Sequence, residues 1–205
     1  MQMIKSIANL GLFKRPPRDE SQPTPRDFLL EAMPRGSVCA EIGVHRGDFS
    51  RRILEIVKPK ELHLIDPWQF LREEAYKDSN YGGKRGVNQS LMDRRYQSVV
   101  KRFRPEIARH QIKIHRACSD QACDLFEDDY FDWIYIDGNH LYEFARKDLD
   151  LYYPKVKQGG FIAGDDYGEG GWWQGGVKKA VDEFIDSERV RVIEIKDAQF
   201  CLCKC

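Results

Sequence analysis

Asp137, Gly138, Asn139 and His140 follow directly on the apolar run FDWIYI (131–136), and Asp165 and Asp166 close a second apolar run, GGFIAG (159–164). A strand ending in a carboxylate, with an imidazole three positions on, is suited to proton transfer. An imidazole with a pKa of about 6.5 accepts a proton at neutral pH. If the strands ending at Asp137 and Asp165 are neighbours, three carboxylates share one rim. Like charges that close repel unless protons or a cation sit among them. A hard divalent ion such as Mg2+ meets that need and keeps water positions open for a substrate hydroxyl. A second set stands at two earlier strand ends. SVCAEIGV (37–44) runs into HRGDFS, which gives Glu41, Gly43 and Gly47 in E-x-G-x-x-x-G spacing, and ELHLID (61–66) ends in Asp66. Glycines at such a bend let the backbone approach a ligand closely. An acid at the next strand end can accept hydrogen bonds from two ribose hydroxyls.

These residues need elements to position them. From Ser37 onward the pattern alternates strand and helix. Strands are predicted over 37–44, 61–66, 111–117, 131–137, 159–166, 190–196 and 199–204, and helices over 47–57, 119–126, 141–156 and 175–188. A further helix begins near Asn88, where Leu91, Tyr96, Val99, Val100 and Phe103 have helical spacing. Strands apolar on both faces and separated by helices imply an α/β fold with a doubly wound, mostly parallel, seven-stranded sheet. The last two strands are joined by Asp197 and Ala198 alone, too short for a parallel crossover, so the sheet ends in an antiparallel hairpin. In open sheets of this kind ligands bind outside the carboxyl ends of the strands. The segment 67–87 has aromatics, glycines and charges without a period and reads as a lid-like insertion. Residues 14–27 hold four prolines and read as a linker, so residues 1–27 are an N-terminal arm and 28–205 the domain. The arm leaves two readings open, a contact with a neighbouring subunit of a homo-oligomer and a free end.

The balance of 33 Lys and Arg against 33 Asp and Glu argues against a nucleic-acid or anionic-membrane partner. The opening MQMIKSIANLGLF is too short to span a bilayer and is followed by no small-residue cleavage site, which points to a cytoplasmic protein. Of the six cysteines, three lie in the tail CLCKC, where alternation puts them on one strand face. That spacing lacks the second ligand pair of a closed zinc site.

The first strand-to-helix turn is not G-x-G-x-x-G, so it lacks the dinucleotide fingerprint. It suits a nucleoside with a cationic side chain, and from about Ser37 to the C-terminus the chain resembles class I S-adenosylmethionine (SAM) dependent methyltransferases. The resemblance implies that Glu41 and Gly43 lie by the methionine part of SAM, that Gly47 also belongs to the cofactor site, that Asp66 holds the ribose, and that Cys118, Ser119 and Asp120 are candidates for the adenine edge. Asp137 also adjoins the cofactor. The stretch IDGNHLYEFARKDLDLYYPKVKQGGFIAGDDY further resembles metal-dependent O-methyltransferases of the macrocin O-methyltransferase kind, which share D-G-x-H and D-D-Y. That likeness implies Asp137, Asp165 and Asp166 as ligands of Mg2+ or another divalent cation, and His140 as base. This chain is shorter than the macrocin enzymes, so their substrate and ligand set do not carry over with the motif.

Plainer roles stand beside these. Asp137 can touch cofactor only, His140 can cap the helix beginning at Leu141, and Asp165 and Asp166 can be loop acids. In GEGGWWQGG, Trp172 and Trp173 either close over an acceptor or plug the core. The expected function is SAM-dependent O-methylation of a small hydroxylated acceptor, such as a sugar of a natural product or glycan. The rivals are an NAD(P)-dependent oxidoreductase on a similar sheet and a non-catalytic binding protein with a methyltransferase fold.

Overall fold

A computed structural model describes residues 24–83, 86–187 and 189–205. The expected N-terminal arm lies outside these as far as residue 23. The described chain forms a seven-stranded sheet in the order β3-β2-β1-β4-β5-β7-β6. Its strands are β1 Val38–Ile42, β2 Glu61–Ile65, β3 Ile112–His115, β4 Phe131–Ile136, β5 Val156–Gly164, β6 Val190–Lys196 and β7 Gln199–Lys204. The first five are parallel, and β7 runs antiparallel to β5 and β6. The hairpin turn between β6 and β7 has φ of 50° at Asp197 and 60° at Ala198, the doubly positive pair of a tight hairpin turn.

The register puts the site together. Ile42 pairs with Ile65 on one side and Ile136 on the other, and Ile136 pairs with Gly164. The next residues are therefore level along one rim: Gly43, Asp66, Asp137 and Asp165. Backbone bonds continue the ladder there, from Gly43 N to Ile65 O at 2.9 Å and from Asp137 N to Ile42 O at 2.8 Å.

Alternation sends β4 side chains to two cores. Ile134 and Ile136 pack with Ala145, Leu149 and Phe184 of α6 (Tyr142–Tyr152) and α7 (Gly176–Ile185). Trp133 and Tyr135 face the other side, with Leu29 of α1 (Asp27–Ala32), Ile53 of α2 (Asp48–Ile56) and Val99 of α3 (Gln89–Arg102). Burial on both faces explains why this strand reads as one apolar run. The short helices α4 (Arg104–Ala108) and α5 (Ser119–Cys123) flank β3. No described helix is long and apolar enough to cross a membrane.

Two local expectations change. The helix expected to run to Val156 stops at Tyr152, because Pro154 has no N–H with which to continue it. Strand β5 starts at Val156 instead and bulges, with the register jumping from Phe131–Val156 to Trp133–Phe161 around Gly159 at φ 74°. The described part of the insertion after β2 holds a 3-10 turn, Glu74–Tyr76, and closes on itself through Leu71 N to Tyr81 O at 2.9 Å.

Candidate active site

At the β4 end, the His140 ring lies among carboxylates and indoles. Nε2 is 3.4 Å from Asp137 and Nδ1 is 3.1 Å from Asp166. The second approach is off the hydrogen-bond line, so Nδ1 is buried with no hydrogen-bond partner. Such an atom beside a carboxylate calls for a proton or a cation. Trp173 meets the ring edge-on at 5.0 Å between centroids, and Trp172 stacks at 6.1 Å. The two tryptophans thus divide the roles anticipated for the pair: Trp173 packs on the core and Trp172 lines the cavity. His140 does not cap α6; Asn139 Oδ1 accepts from Leu141 N at 3.0 Å. Burial works against an imidazolium, but the bond to Asp137 and the charge of Asp166 outweigh it and raise the His140 pKa. Burial likewise raises that of Asp166.

Asp165 and Asp166 part company. Asp165 is buried, with one oxygen accepting from Gln199 Nε2 and the other from Arg26. Asp166, at φ 60°, turns toward His140. One oxygen each from Asp137 and Asp166 and a nitrogen of His140 come within 4.8 Å of one another, which suits one metal ion. Asp165 is not in that set.

At the β1 and β2 ends, Asp66 is the hub. One oxygen accepts from Val44 N at 3.0 Å, His45 N at 2.9 Å and the Tyr81 hydroxyl, and the other from Trp68 N at 2.7 Å. Tyr81, from the insertion, is the sole side-chain donor among these. Gly43, at φ 93°, lies so close to the β4 end that an added Cβ would be 1.9 Å from the Asp137 carbonyl oxygen. Glu41 points into the fold and accepts from Ser50 of α2, and burial pushes its pKa well up. Gly47 begins α2 with its back to the Phe103 ring. Asp120 pairs with Lys147 at 2.7 Å. Neither Glu41, Gly47 nor Asp120 lines the cavity, whereas Cys118 and Ser119 do.

A single cleft of about 390 Å³ runs from Asp66, Cys118 and Ser119 to Asp137, His140 and Asp166, a size suited to a small ligand. Asp148 and Arg26 are among the lining residues that were not foreseen. Asp148 is 4% exposed, accepts from Ser119 Oγ at 2.5 Å, and burial pushes its pKa up to about 6. Its signal was present in the sequence: it is an acid on the apolar stripe Ala145, Leu149, Tyr152 of α6. Arg26, in the expected linker, reaches Asp137 at 3.0 Å and also Asp165. The Thr24-to-Asp27 spacing of a helix start was its one hint, masked by the surrounding prolines.

A family model described as a methyltransferase domain matches residues 40–167, more than half of the 205 residues. The chain belongs to that methyltransferase family. The matched span of this methyltransferase domain takes in every rim residue from Glu41 to Asp166 and leaves out Arg26. No curated protein matches the chain in sequence. Among solved structures the fold is similar to the O-methyltransferase TomG from Streptomyces achromogenes, involved in tomaymycin synthesis and in complex with SAM. That chain is 14% identical with a TM-score of 0.60, over 91% of this chain and 82% of that one. It is also similar to the 1,6-didemethyltoxoflavin-N1-methyltransferase of Burkholderia thailandensis with bound S-adenosylhomocysteine, at 11% identity and a TM-score of 0.57, over 91% and 79%. The tRNA methyltransferase TrmK of B. subtilis matches at 11% and 0.54, over 89% and 65%. At such identities the likeness is one of fold, and the three act on different acceptors.

Proposed function

We propose that this protein is a SAM-dependent O-methyltransferase acting on a hydroxyl of a small acceptor, such as a sugar of a natural product or glycan. The observation that carries the reading is the continuous cleft between the Asp66 end and the His140 end. In this reading the nucleoside site and the proton-accepting site lie on one path. SAM supplies a methyl group on a sulfonium, and transfer is in line to the acceptor oxygen.

In this reading Asp66 takes the ribose hydroxyls, with Tyr81 giving up its bond, and Ser119 and Asp148 meet the adenine edge. Asp137 and Asp166 flank the His140 ring and orient it, and the imidazole takes the acceptor's proton. Trp172 and the insertion exclude water from that end. The donor set also fits a divalent ion, through Asp137 and Asp166; a hard ion prefers those oxygens and water to imidazole. Such an ion would lower the pKa of the acceptor hydroxyl. Asp165, committed to Arg26 and Gln199, serves as a structural counter-charge. The protein is cytoplasmic in this reading, and 28–205 form the working domain.

The direct test is incubation with methyl-labelled SAM and pooled hydroxylated metabolites, with Mg2+ and with EDTA. Label on a hydroxyl oxygen supports the reading; label only on nitrogen or on RNA replaces it. Calorimetry with SAM and NADH separates the oxidoreductase rival, which binds NADH in preference. Asp66→Ala is expected to weaken SAM binding by about 1 to 3 kcal/mol, the cost of hydroxyls left without an acceptor. Unchanged affinity in that variant would place the ribose elsewhere. Backbone amides of 67–83 and 168–176 are expected to exchange faster without ligand than with SAM and acceptor, as befits a cover over the cleft. Equal exchange in both states would make them fixed walls.

A further inference from the structure

Arg26 spans the acidic rim. Its guanidinium bonds Asp137 Oδ2 at the end of β4 and Asp165 at the end of β5, across sequence separations of 111 and 139 residues. Its backbone position is built. It is the residue before α1, whose first residue, Asp27, accepts from Thr24 N at 2.9 Å and Thr24 Oγ1 at 2.8 Å. Asp27 is itself clamped by Arg52 of α2, whose Nε lies 3.2 Å away. The guanidinium also lies 5.5 Å from the centre of the Phe49 ring. A planar fork held in this way can satisfy two carboxylates at once.

The consequence is a division of the rim. Asp165 has both oxygens engaged, one by Arg26 and one by Gln199, and is 8% exposed. Asp137 gives Oδ2 to Arg26 and keeps Oδ1 on the His140 side. The unpartnered His140 Nδ1 and Asp166 Oδ2 complete that second side.

We propose that Arg26 is a resident cation of the acidic rim, which neutralises Asp165 and half of Asp137 and so confines a divalent ion to the Asp137, His140 and Asp166 side. This rests on the metal part of the function proposed above. With Arg26 in place, an incoming ion meets a fixed positive charge beside its site and finds Asp165 already taken. Removing that charge frees a third carboxylate and removes the repulsion.

The test is a titration of Mn2+ alone into the full chain, read by calorimetry and by the loss of free Mn2+ signal in electron paramagnetic resonance. Arg26→Gln is expected to bind Mn2+ at least tenfold more tightly than the wild type, and adding Asp165→Asn to it should abolish the gain. Asp166→Asn in the Arg26→Gln background should weaken binding tenfold or more. SAM affinity and melting temperature, measured on each variant, show that the fold is kept. Equal or weaker Mn2+ binding by a folded Arg26→Gln protein overturns the proposal and leaves the metal site standing. Absence of binding by both proteins overturns it together with the metal part of the functional reading. Should Arg26→Gln fail to fold, Arg26→Lys serves the same comparison: it keeps one charge but loses the fork, and an affinity indistinguishable from wild type, with Asp165→Asn in that background also without effect, counts against the proposal.

Discussion

His140→Ala is expected to slow methyl transfer about 10²- to 10⁴-fold, the usual range for loss of a general base, while SAM affinity stays within about twofold. The split follows from the geometry. His140 contacts Asp137, Asp166 and the two indoles, but no residue of the Asp66 end. The wild-type rate should also fall in acid. Only neutral imidazole accepts a proton, and the Asp137 bond and Asp166 charge, outweighing burial, hold its pKa above the ordinary 6.5. The acid limb should thus turn over above that value, and it should vanish from the residual rate of His140→Ala. Single-turnover rates across pH, with SAM and acceptor saturating, make the comparison. A variant that loses SAM affinity as much as rate, or keeps the acid limb, would assign His140 to positioning rather than proton transfer.

Gly43→Ala is the second large effect, and it acts through the fold. At φ 93° a side chain is already strained, and the new Cβ would lie 1.9 Å from the Asp137 carbonyl oxygen and 2.5 Å from its carbon. Both are backbone atoms, so no rotamer relieves the clash, and the β1 and β4 ends must separate. A cost of about 3 kcal/mol or more is expected. For a chain of this size that is roughly 6 to 12 °C in melting temperature. SAM binding should fall with it, because Gly43 and Asp137 share the cleft wall. Gly159→Ala is the control: φ is 74° but nothing lies within 4 Å, so only the backbone strain, about 1 kcal/mol, is at stake. A Gly43→Ala protein that melts within about 2 °C of wild type would mean that the two strand ends are not so close.

The line-up of Gly43, Asp66, Asp137 and Asp165 was legible from sequence because each follows an apolar run. In a parallel sheet with right-handed crossovers, the ends of consecutive runs must meet on one rim. Local periodicity was enough for that, and for the terminal hairpin, whose two-residue link admits no other pairing. The helix that stops at Tyr152 was misjudged by a few residues because its apolar periodicity continues up to Pro154, whose stop signal competes with it. What tertiary structure decided is where side chains point once the strand has ended. Asp165 and Asp166 are adjacent and chemically alike, but the positive φ at Asp166 sends it to His140 while Asp165 stays in the sheet line to meet Gln199 of β7. Glu41 shares the β1 run with Gly43 but lies inside the strand, on the face that packs against α2, so its side chain meets Ser50 and not the cleft. For Arg26 the local Thr24-to-Asp27 pattern hints at a helix start but says nothing of what the guanidinium reaches. Its partners are more than 100 residues away, and only the packing of α1 on α2, through Asp27 and Arg52, brings its guanidinium over the rim.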